Sequence, residues 1–159
     1  IGRVRGNYSN INRIIKMTER DSTDTIVIHC SATPSNMDIG VDKIRKWHVD
    51  DNGWDDIGYH YVIRRDGTLE IGRDEAMVGS HARAVNGTSI GVCLIGGSDS
   101  NGKWEENFAP IQFETLKSII LKLKDKYDIE KIIGHYQIDD RKECPSFDVP
   151  KWLEKNNVV

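Results

Sequence analysis

Short apolar runs alternate with amphipathic stretches along the chain. Residues 26–30, with the sequence IVIHC, begin with three β-branched side chains, which is typical of a buried strand. An apolar series at helical spacing follows, and it predicts a helix that is capped by Asp38 or a neighbour and ends near Gly53. The members of this series are Val41, Ile44 and His48. The predicted order therefore begins with a strand and continues with a helix.

Two β-prone runs then flank an Asp-Gly pair. Residues 59–64 and 68–71 lie on either side of Asp66 and Gly67, and such a pair between two β-prone runs predicts a hairpin. Residues 90–95 form another apolar run, which two glycines close. Both regions fit strands of one sheet.

The last third of the chain predicts two helices with one strand between them. Pro110 suits the first position of a helix, and apolar residues repeat after it at steps of three and four. These apolar residues are Phe113, Leu116, Ile120, Leu123 and Tyr127. Residues 131–135 follow as a strand, and residues 149–155 follow as a short helix with Asp148 as its expected cap.

This alternation predicts one three-layer α/β domain with a mixed central β-sheet that is flanked by helices. Strands separated by helices should pair in parallel, and the hairpin should pair antiparallel. We expect the domain to span residues 21–159. Residues 1–20 carry five basic side chains against Glu19 alone, so we interpret them as a basic, solvated N-terminal tail. The chain begins with Ile1, and Met17 is a hypothetical native start.

Composition narrows the classes of function. The 159 residues are 38% hydrophobic with a mean hydropathy of -0.52, as expected of an ordinary globular domain. A net charge of -3 with both signs interspersed gives no indication of a nucleic-acid surface. Three cysteines without close pairing indicate free thiols. Because no apolar run suits a membrane span or a signal peptide, we expect no membrane insertion and synthesis in the cytoplasm.

Two histidines at the ends of predicted strands indicate a metal site. His29 and His135 each follow an apolar run, and ligands of open α/β sheets gather beyond such strand ends. Cys144 lies in a polar loop nine residues after His135, so it can return to the same place. Two imidazoles and one thiolate leave the fourth tetrahedral position of a zinc ion free for water, as in catalytic sites. The alternative is two partly buried histidines with satisfied hydrogen bonds.

Strand and helix geometry separates the remaining candidates. Cys30 should point away from the face that its histidine neighbour uses, since adjacent strand residues alternate. Cys93 lies within an apolar run and is expected to be a small buried hydrophobe. His48 is expected to pack in the core, and His60 is expected to be structural. His81 lies in a loop of small residues, where it is a candidate substrate contact or an ordinary surface histidine.

Two further side chains could stabilise the oxyanion that forms during hydrolysis, in addition to a metal ion. Amide hydrolysis develops an oxyanion, which the hydroxyl group of Tyr59 or the ammonium group of Lys142 could stabilise. The alternative for Lys142 is a solvated loop charge. A rival without metal is a cysteine hydrolase that uses Cys144 with His135 and Asp148, because a thiolate nucleophile needs a nearby base and a positive setting.

Six short blocks of sequence form a recognisable series. They are HCSAT at 29–33, GYHY at 58–61, RDGT at 65–68, VGSHA at 78–82, SIGVCLIGG at 89–97 and KECPSFD at 142–148. Taken together, they resemble the zinc-dependent N-acetylmuramoyl-L-alanine amidases of the type 2 family. The resemblance covers about residues 20–156. It is strongest to the small phage lysozymes of podoviruses and weaker to the animal peptidoglycan recognition proteins.

The resemblance implies one zinc ion held by His29, His135 and Cys144, with Tyr59 and Lys142 needed for hydrolysis. It implies cleavage of the amide between N-acetylmuramic acid and L-alanine, with peptidoglycan as substrate and the bacterial cell wall as the place of action. A non-catalytic peptidoglycan-binding receptor on the same scaffold is the alternative, although such binders commonly lack the cysteine. We expect a monomer, and the resemblance makes a polymerase-type protein partner conceivable.

The chain departs from the family pattern at two places. The segment between His135 and Cys144 is one residue longer, and Tyr136 and Gln137 stand where a His-Glu pair is familiar. The loop around residues 50–53 is also longer by one. Neither change removes an expected ligand.

Overall fold

A five-stranded sheet forms the centre of the computed structural model, which describes residues 17–158. The strands are β1 (Thr25–Cys30), β2 (Tyr61–Ile63), β3 (Leu69–Ile71), β4 (Ser89–Leu94) and β5 (Lys131–Gly134). Their order across the sheet is β3-β2-β4-β1-β5. Every residue of β1 and of β4 is buried, which explains their nearly continuous apolar sequences.

The sheet is mixed, as predicted. Strand β1 pairs in parallel with β4 and β5, and β2 pairs in parallel with β4. Strands β2 and β3 are antiparallel and are joined by the predicted hairpin. Asp66 accepts a hydrogen bond from the backbone N–H of Thr68 at 2.9 Å, and Gly67 has a φ of 87°. The Asp-Gly pair therefore forms the turn by the local chemistry expected of it.

Helices cover both faces of the sheet. They are α1 (Val41–Lys46), which continues into a π-helical turn (Trp47–Asp51), α2 (Pro110–Lys126) and α3 (Val149–Lys155). Helices α2 and α3 pack with Ile26 and Ile28 on one face, and α1 packs with Val62 and Cys93 on the other. The predicted three-layer α/β architecture is therefore confirmed. None of the helices between residues 17 and 158 is long and apolar enough to cross a membrane.

Helices α2 and α3 begin where the sequence predicts. Pro110 is the first residue of α2, and the buried side chain of Gln112 accepts a hydrogen bond from the N–H of Ala109 at 2.9 Å. Asp148 caps α3 by accepting from the N–H of Lys151 at 3.1 Å. Both starts follow from short-range sequence signals.

The start of α1 differs from the prediction. The residue before the helix is Gly40, and the predicted cap Asp38 instead forms an ion pair with Arg64 at 3.4 Å. The first helical N–H, that of Val41, donates to the carboxylate of Glu70 at 3.0 Å. The acceptor thus comes from strand β3, which makes a local cap unnecessary.

A π-helical turn (Trp47–Asp51) follows α1 and adjoins the loop that is expected to hold one extra residue. The N–H of Asn52 donates to the carbonyl of Trp47 at 3.1 Å, a bond that spans five residues. A turn closed in this way holds one residue more than an α-helical turn. Such a turn would accommodate one extra residue near positions 50–53, and that extension stays a prediction.

The chain is hydrogen-bonded to the domain before the predicted boundary at residue 20. The carbonyl of Thr18 accepts from Val78 at 2.7 Å, and the N–H of Arg20 donates to Ala76 at 2.7 Å. These contacts attach residues 18–20 to the domain. The predicted basic tail otherwise lies outside the described residues and stays a prediction.

Candidate metal centre

His29 and His135 lie side by side at one edge of the sheet. Strands β1 and β5 are parallel neighbours with Ile28 paired to Gly134, so the residues that follow each of these come level. The ring centroids of the two histidines are 4.7 Å apart. The sequence predicts His135 as the last residue of the strand. In the structure the strand ends at Gly134, and His135 begins a 3-10 turn (His135–Gln137). The structure nevertheless brings the two imidazoles together, as expected.

Cys144 reaches the same place from the loop that precedes α3. Its carbonyl accepts from the N–H of Tyr136 at 2.9 Å, which ties this loop to the 3-10 turn. Its Sγ lies 3.8 Å from His29 Nδ1 and accepts a hydrogen bond from the backbone N–H of Cys30 at 3.0 Å. The Cys30 side chain lies in the core with α2 and α3, and its sulfur is not among the donors that converge.

The three donor atoms fit a zinc ion. The donors of His29, His135 and Cys144 all lie within 4.8 Å of one another. A tetrahedral zinc with bonds of about 2.0 to 2.3 Å separates its ligand atoms by about 3.3 to 3.6 Å, so the residues need only small movements to close around one. Two nitrogens and one sulfur also leave one coordination position open. This is the donor set of a catalytic zinc site.

Burial sets the protonation of the donors. It lowers the pKa of His29 well below its ordinary value, and the neighbouring His81 and His135 add to this shift. Burial also lowers the pKa of His135. Both imidazoles are therefore neutral at pH 7, which is the form that binds metals. Burial raises the pKa of the Cys144 thiol, so a thiolate there requires a compensating cation.

Tyr59 lies against the metal centre from the segment before β2. Its ring centroid is 5.0 Å from that of His29. Burial raises the pKa of Tyr59 well above its ordinary value, and the neighbouring Cys93 and Cys144 raise it further. The phenol is therefore neutral at physiological pH and keeps a hydrogen to donate.

Lys142 lies in the loop that carries Cys144, two residues before it. The residue is exposed and lines a cavity of about 440 Å³ together with Tyr136 and Glu143. Burial is the main cause of the lowered pKa of His135; the charge of Asp139 opposes this shift, and the charges of Lys142 and Arg141 add to it.

His81 occupies a different position from either of its predicted alternatives. Its side chain is buried, with Nδ1 2.8 Å from His29 Nε2 and the other ring nitrogen 3.3 Å from Ser89 Oγ. It is therefore not a surface histidine, and neither ring nitrogen is free for a substrate. The contact joins residues 52 positions apart, and no periodicity in the sequence indicates it.

His48 packs between Tyr59 and Trp54 and is not part of the buried core. It is half-buried, its Nδ1 accepts from the N–H of Gly58 at 2.9 Å, and its ring lies 5.5 Å from that of Tyr59. The partly exposed Trp54 covers its other side at 4.5 Å. The core prediction for His48 is therefore wrong.

His60 has the structural role predicted for it, since both its ring nitrogens bond to backbone groups.

The geometry disfavours a cysteine nucleophile. Cys144 is only 5% exposed, and burial raises the pKa of its thiol, whereas reactive cysteines are accessible and have lowered pKa values. The carboxylate of Asp148 caps α3, and among the described residues it forms no hydrogen bond with His135. The proposed cysteine hydrolase therefore lacks an accessible thiol of lowered pKa and a carboxylate that orients its histidine base.

Comparison with known proteins decides the family. The family described as N-acetylmuramoyl-L-alanine amidase matches residues 19–147. The chain belongs to this family. The resemblance stated from the sequence blocks is confirmed, and so is the prediction that the chain is an amidase.

Relatives of this amidase cover nearly its full length. The endolysin of Escherichia phage T7 is 48% identical over 145 residues, which is 91% of this chain and 95% of that protein. The solved N-acetylmuramoyl-L-alanine amidase LysCS of Clostridium intestinale is 33% identical with a TM-score of 0.76, covering 90% of this chain and 89% of the other. Drosophila PGRP-LB is 28% identical with a TM-score of 0.69, covering 82% and 79%.

Proposed function

We propose that this amidase uses one zinc ion, held by His29, His135 and Cys144, to hydrolyse the amide between N-acetylmuramic acid and L-alanine in bacterial cell walls. The observation that carries the proposal is the convergence of these three donor atoms within 4.8 Å. The family match supports the reaction, and the relatives named as endolysins support the cell wall as the place of action.

The donor set suits hydrolysis better than a structural role. Zinc bound here would supply Lewis acidity and a water molecule that is activated for attack. A Zn²⁺ ion held by one thiolate and two neutral imidazoles would have a formal charge of +1. His29 and Cys144 are buried, whereas His135 is half-buried, so the centre faces solvent on the His135 side. A substrate amide can therefore approach without displacing a ligand.

Tyr59 and Lys142 supply the remaining stabilisation in this proposal. The neutral phenol of Tyr59 lies against His29 and can donate a hydrogen bond to an oxyanion that forms at the centre. Lys142 brings a positive charge from the exposed side, where the substrate enters. Preorganised donors of this kind act on the charge that develops during the reaction.

Removal of the metal tests the proposal. Purified protein stripped by a zinc chelator should clear suspensions of purified peptidoglycan at less than about 1% of the untreated rate, since both the activated water and the Lewis acid are lost. One equivalent of zinc should restore clearing. A cysteine hydrolase would be insensitive to the chelator but blocked by thiol alkylation. A peptidoglycan-binding receptor would clear nothing in either state. Unchanged clearing by protein verified to be metal-free would contradict the proposal.

A further inference from the structure

We propose that His81 is a positioning residue that orients His29 for metal binding through Nδ1. This inference rests on the proposed zinc site. His81 is not one of the three residues whose donors converge, and it contacts His29 within the protein interior. Its role would be to accept the hydrogen of His29 Nε2 and to keep the opposite nitrogen free.

The two nitrogens of His29 face different partners. Nδ1 lies 3.8 Å from Cys144 Sγ, and Nε2 lies 2.8 Å from His81 Nδ1. A neutral imidazole carries one N–H group, and the other nitrogen has the lone pair that a metal needs. If His81 accepts from Nε2, the lone pair of His29 is fixed on Nδ1. Metal-binding histidines generally use such an outer partner, which here is a second imidazole.

We assign the direction of these hydrogen bonds from the last contact of the series, that of Ser89 with Val85. The hydroxyl group of Ser89 donates to the carbonyl of Val85 at 2.7 Å, so its oxygen is left as an acceptor. The Nε2 atom of His81 lies 3.3 Å from that oxygen, so we assign the hydrogen of the ring to Nε2. His81 Nδ1 is then the acceptor for His29. The series runs from His29 through His81 and Ser89 to a backbone carbonyl.

The structure holds His81 in this position from several sides. The side chain of Asn86 accepts from the N–H groups of His81 and Ala82 at 3.0 and 2.9 Å, which fixes the backbone of the loop. A Cβ atom on Gly91 would lie 2.6 Å from Cγ of His81, so the ring needs glycine there. His81 is thus packed into place as well as hydrogen-bonded.

Because His29 is buried, its N–H group depends on His81 Nδ1 as a hydrogen-bond acceptor. The exposed fractions of His29, His81 and Ser89 are 1%, 8% and 0%. Without His81 Nδ1, the N–H of His29 would lose its partner in the interior, or the ring would adopt the tautomer that cannot bind metal through Nδ1. Loss of an outer partner typically weakens metal binding by about 10- to 100-fold.

Two amide substitutions distinguish the role of His81 Nδ1 as a hydrogen-bond acceptor from the packing of the His81 side chain. His81→Asn places a carbonyl oxygen near the position of Nδ1, whereas His81→Gln places its amide group near the position of Nε2. Zinc affinity of the full chain is measured by competition with a chromophoric chelator. We expect His81→Asn to stay within about threefold of the unmodified chain and His81→Gln to lose about 10- to 100-fold. The visible spectrum of the cobalt-loaded protein should change in the glutamine variant and be retained in the asparagine variant.

Ser89→Ala is a second test that leaves both histidines in place. It removes the acceptor for His81 Nε2 and should weaken zinc binding by about three- to tenfold, in the same direction as His81→Gln. Equal zinc affinity in the asparagine and glutamine variants would overturn the inference. If the glutamine variant does not fold, an unchanged affinity in Ser89→Ala would overturn it. Failure of the unmodified chain to bind zinc would instead contradict the proposed metal centre.

Discussion

Cys144→Ser should purify with less than about a tenth of a zinc ion per chain and should lose peptidoglycan hydrolysis by at least about 100-fold. The substitution replaces a thiolate donor with a hydroxyl group that stays protonated at pH 7 and binds zinc weakly. The backbone N–H of Cys30 donates a hydrogen bond to the sulfur, and it cannot replace the sulfur as a metal ligand. Metal analysis after gel filtration and clearing of purified peptidoglycan measure the two effects.

Cys93→Ala is the matched control for zinc content. Cys93 is as buried as Cys144, but its sulfur is not among the three converging donors. This variant should keep about one zinc ion per chain. Stoichiometric zinc with full activity in Cys144→Ser would show that the cysteine is no ligand, and the proposed centre would have to be abandoned.

Tyr59→Phe should keep its zinc ion and lose turnover by about 100-fold or more, as when one oxyanion donor is removed from other hydrolases. The substitution removes only the hydroxyl group, so the ring contact with His29 at 5.0 Å is retained. The defect should appear in kcat, with KM nearly unchanged, because the donor acts on charge that the substrate does not yet carry. Steady-state kinetics on a soluble muropeptide, together with metal analysis, provide the measurement.

Lys142→Ala separates a role in catalysis from a role in metal binding. Its side chain is exposed, so we expect a folded protein with a full complement of zinc and most of its turnover lost. If Lys142→Ala loses its metal instead, Lys142 supports the loop that carries Cys144. Full activity with zinc in both Tyr59→Phe and Lys142→Ala would contradict their assigned part in the reaction.

The layers of the fold and the metal centre follow from local sequence patterns. The apolar runs before His29 and before His135 identify two strands, and parallel pairing of these strands brings the imidazoles level. The absence of Cys30 from the converging donors agrees with the alternation of side chains along β1. The Asp-Gly hairpin and the starts of α2 and α3 also follow from short-range signals.

Contacts between distant segments could not be predicted in this way. Glu70 supplies the acceptor for the first N–H of α1 from a neighbouring strand, so the expected local cap is replaced. The pairing of His81 with His29 depends on how Asn86 holds a loop, and no residue period encodes that. The N–H of Cys30 that donates to Cys144 is a backbone group, which every residue except proline carries. Such contacts depend on tertiary structure.

Mass spectrometry of the products released from purified peptidoglycan tests most directly whether this chain is a zinc amidase of the bond to L-alanine. The zinc-loaded protein should release stem peptides with a free N-terminal L-alanine and leave glycan strands whose lactyl groups end in free carboxylates. Samples that contain the chelator should release neither product. Soluble fragments in which sugars remain joined to peptides would mean cleavage of another bond, and release of stem peptides by metal-free protein would mean that zinc is not required.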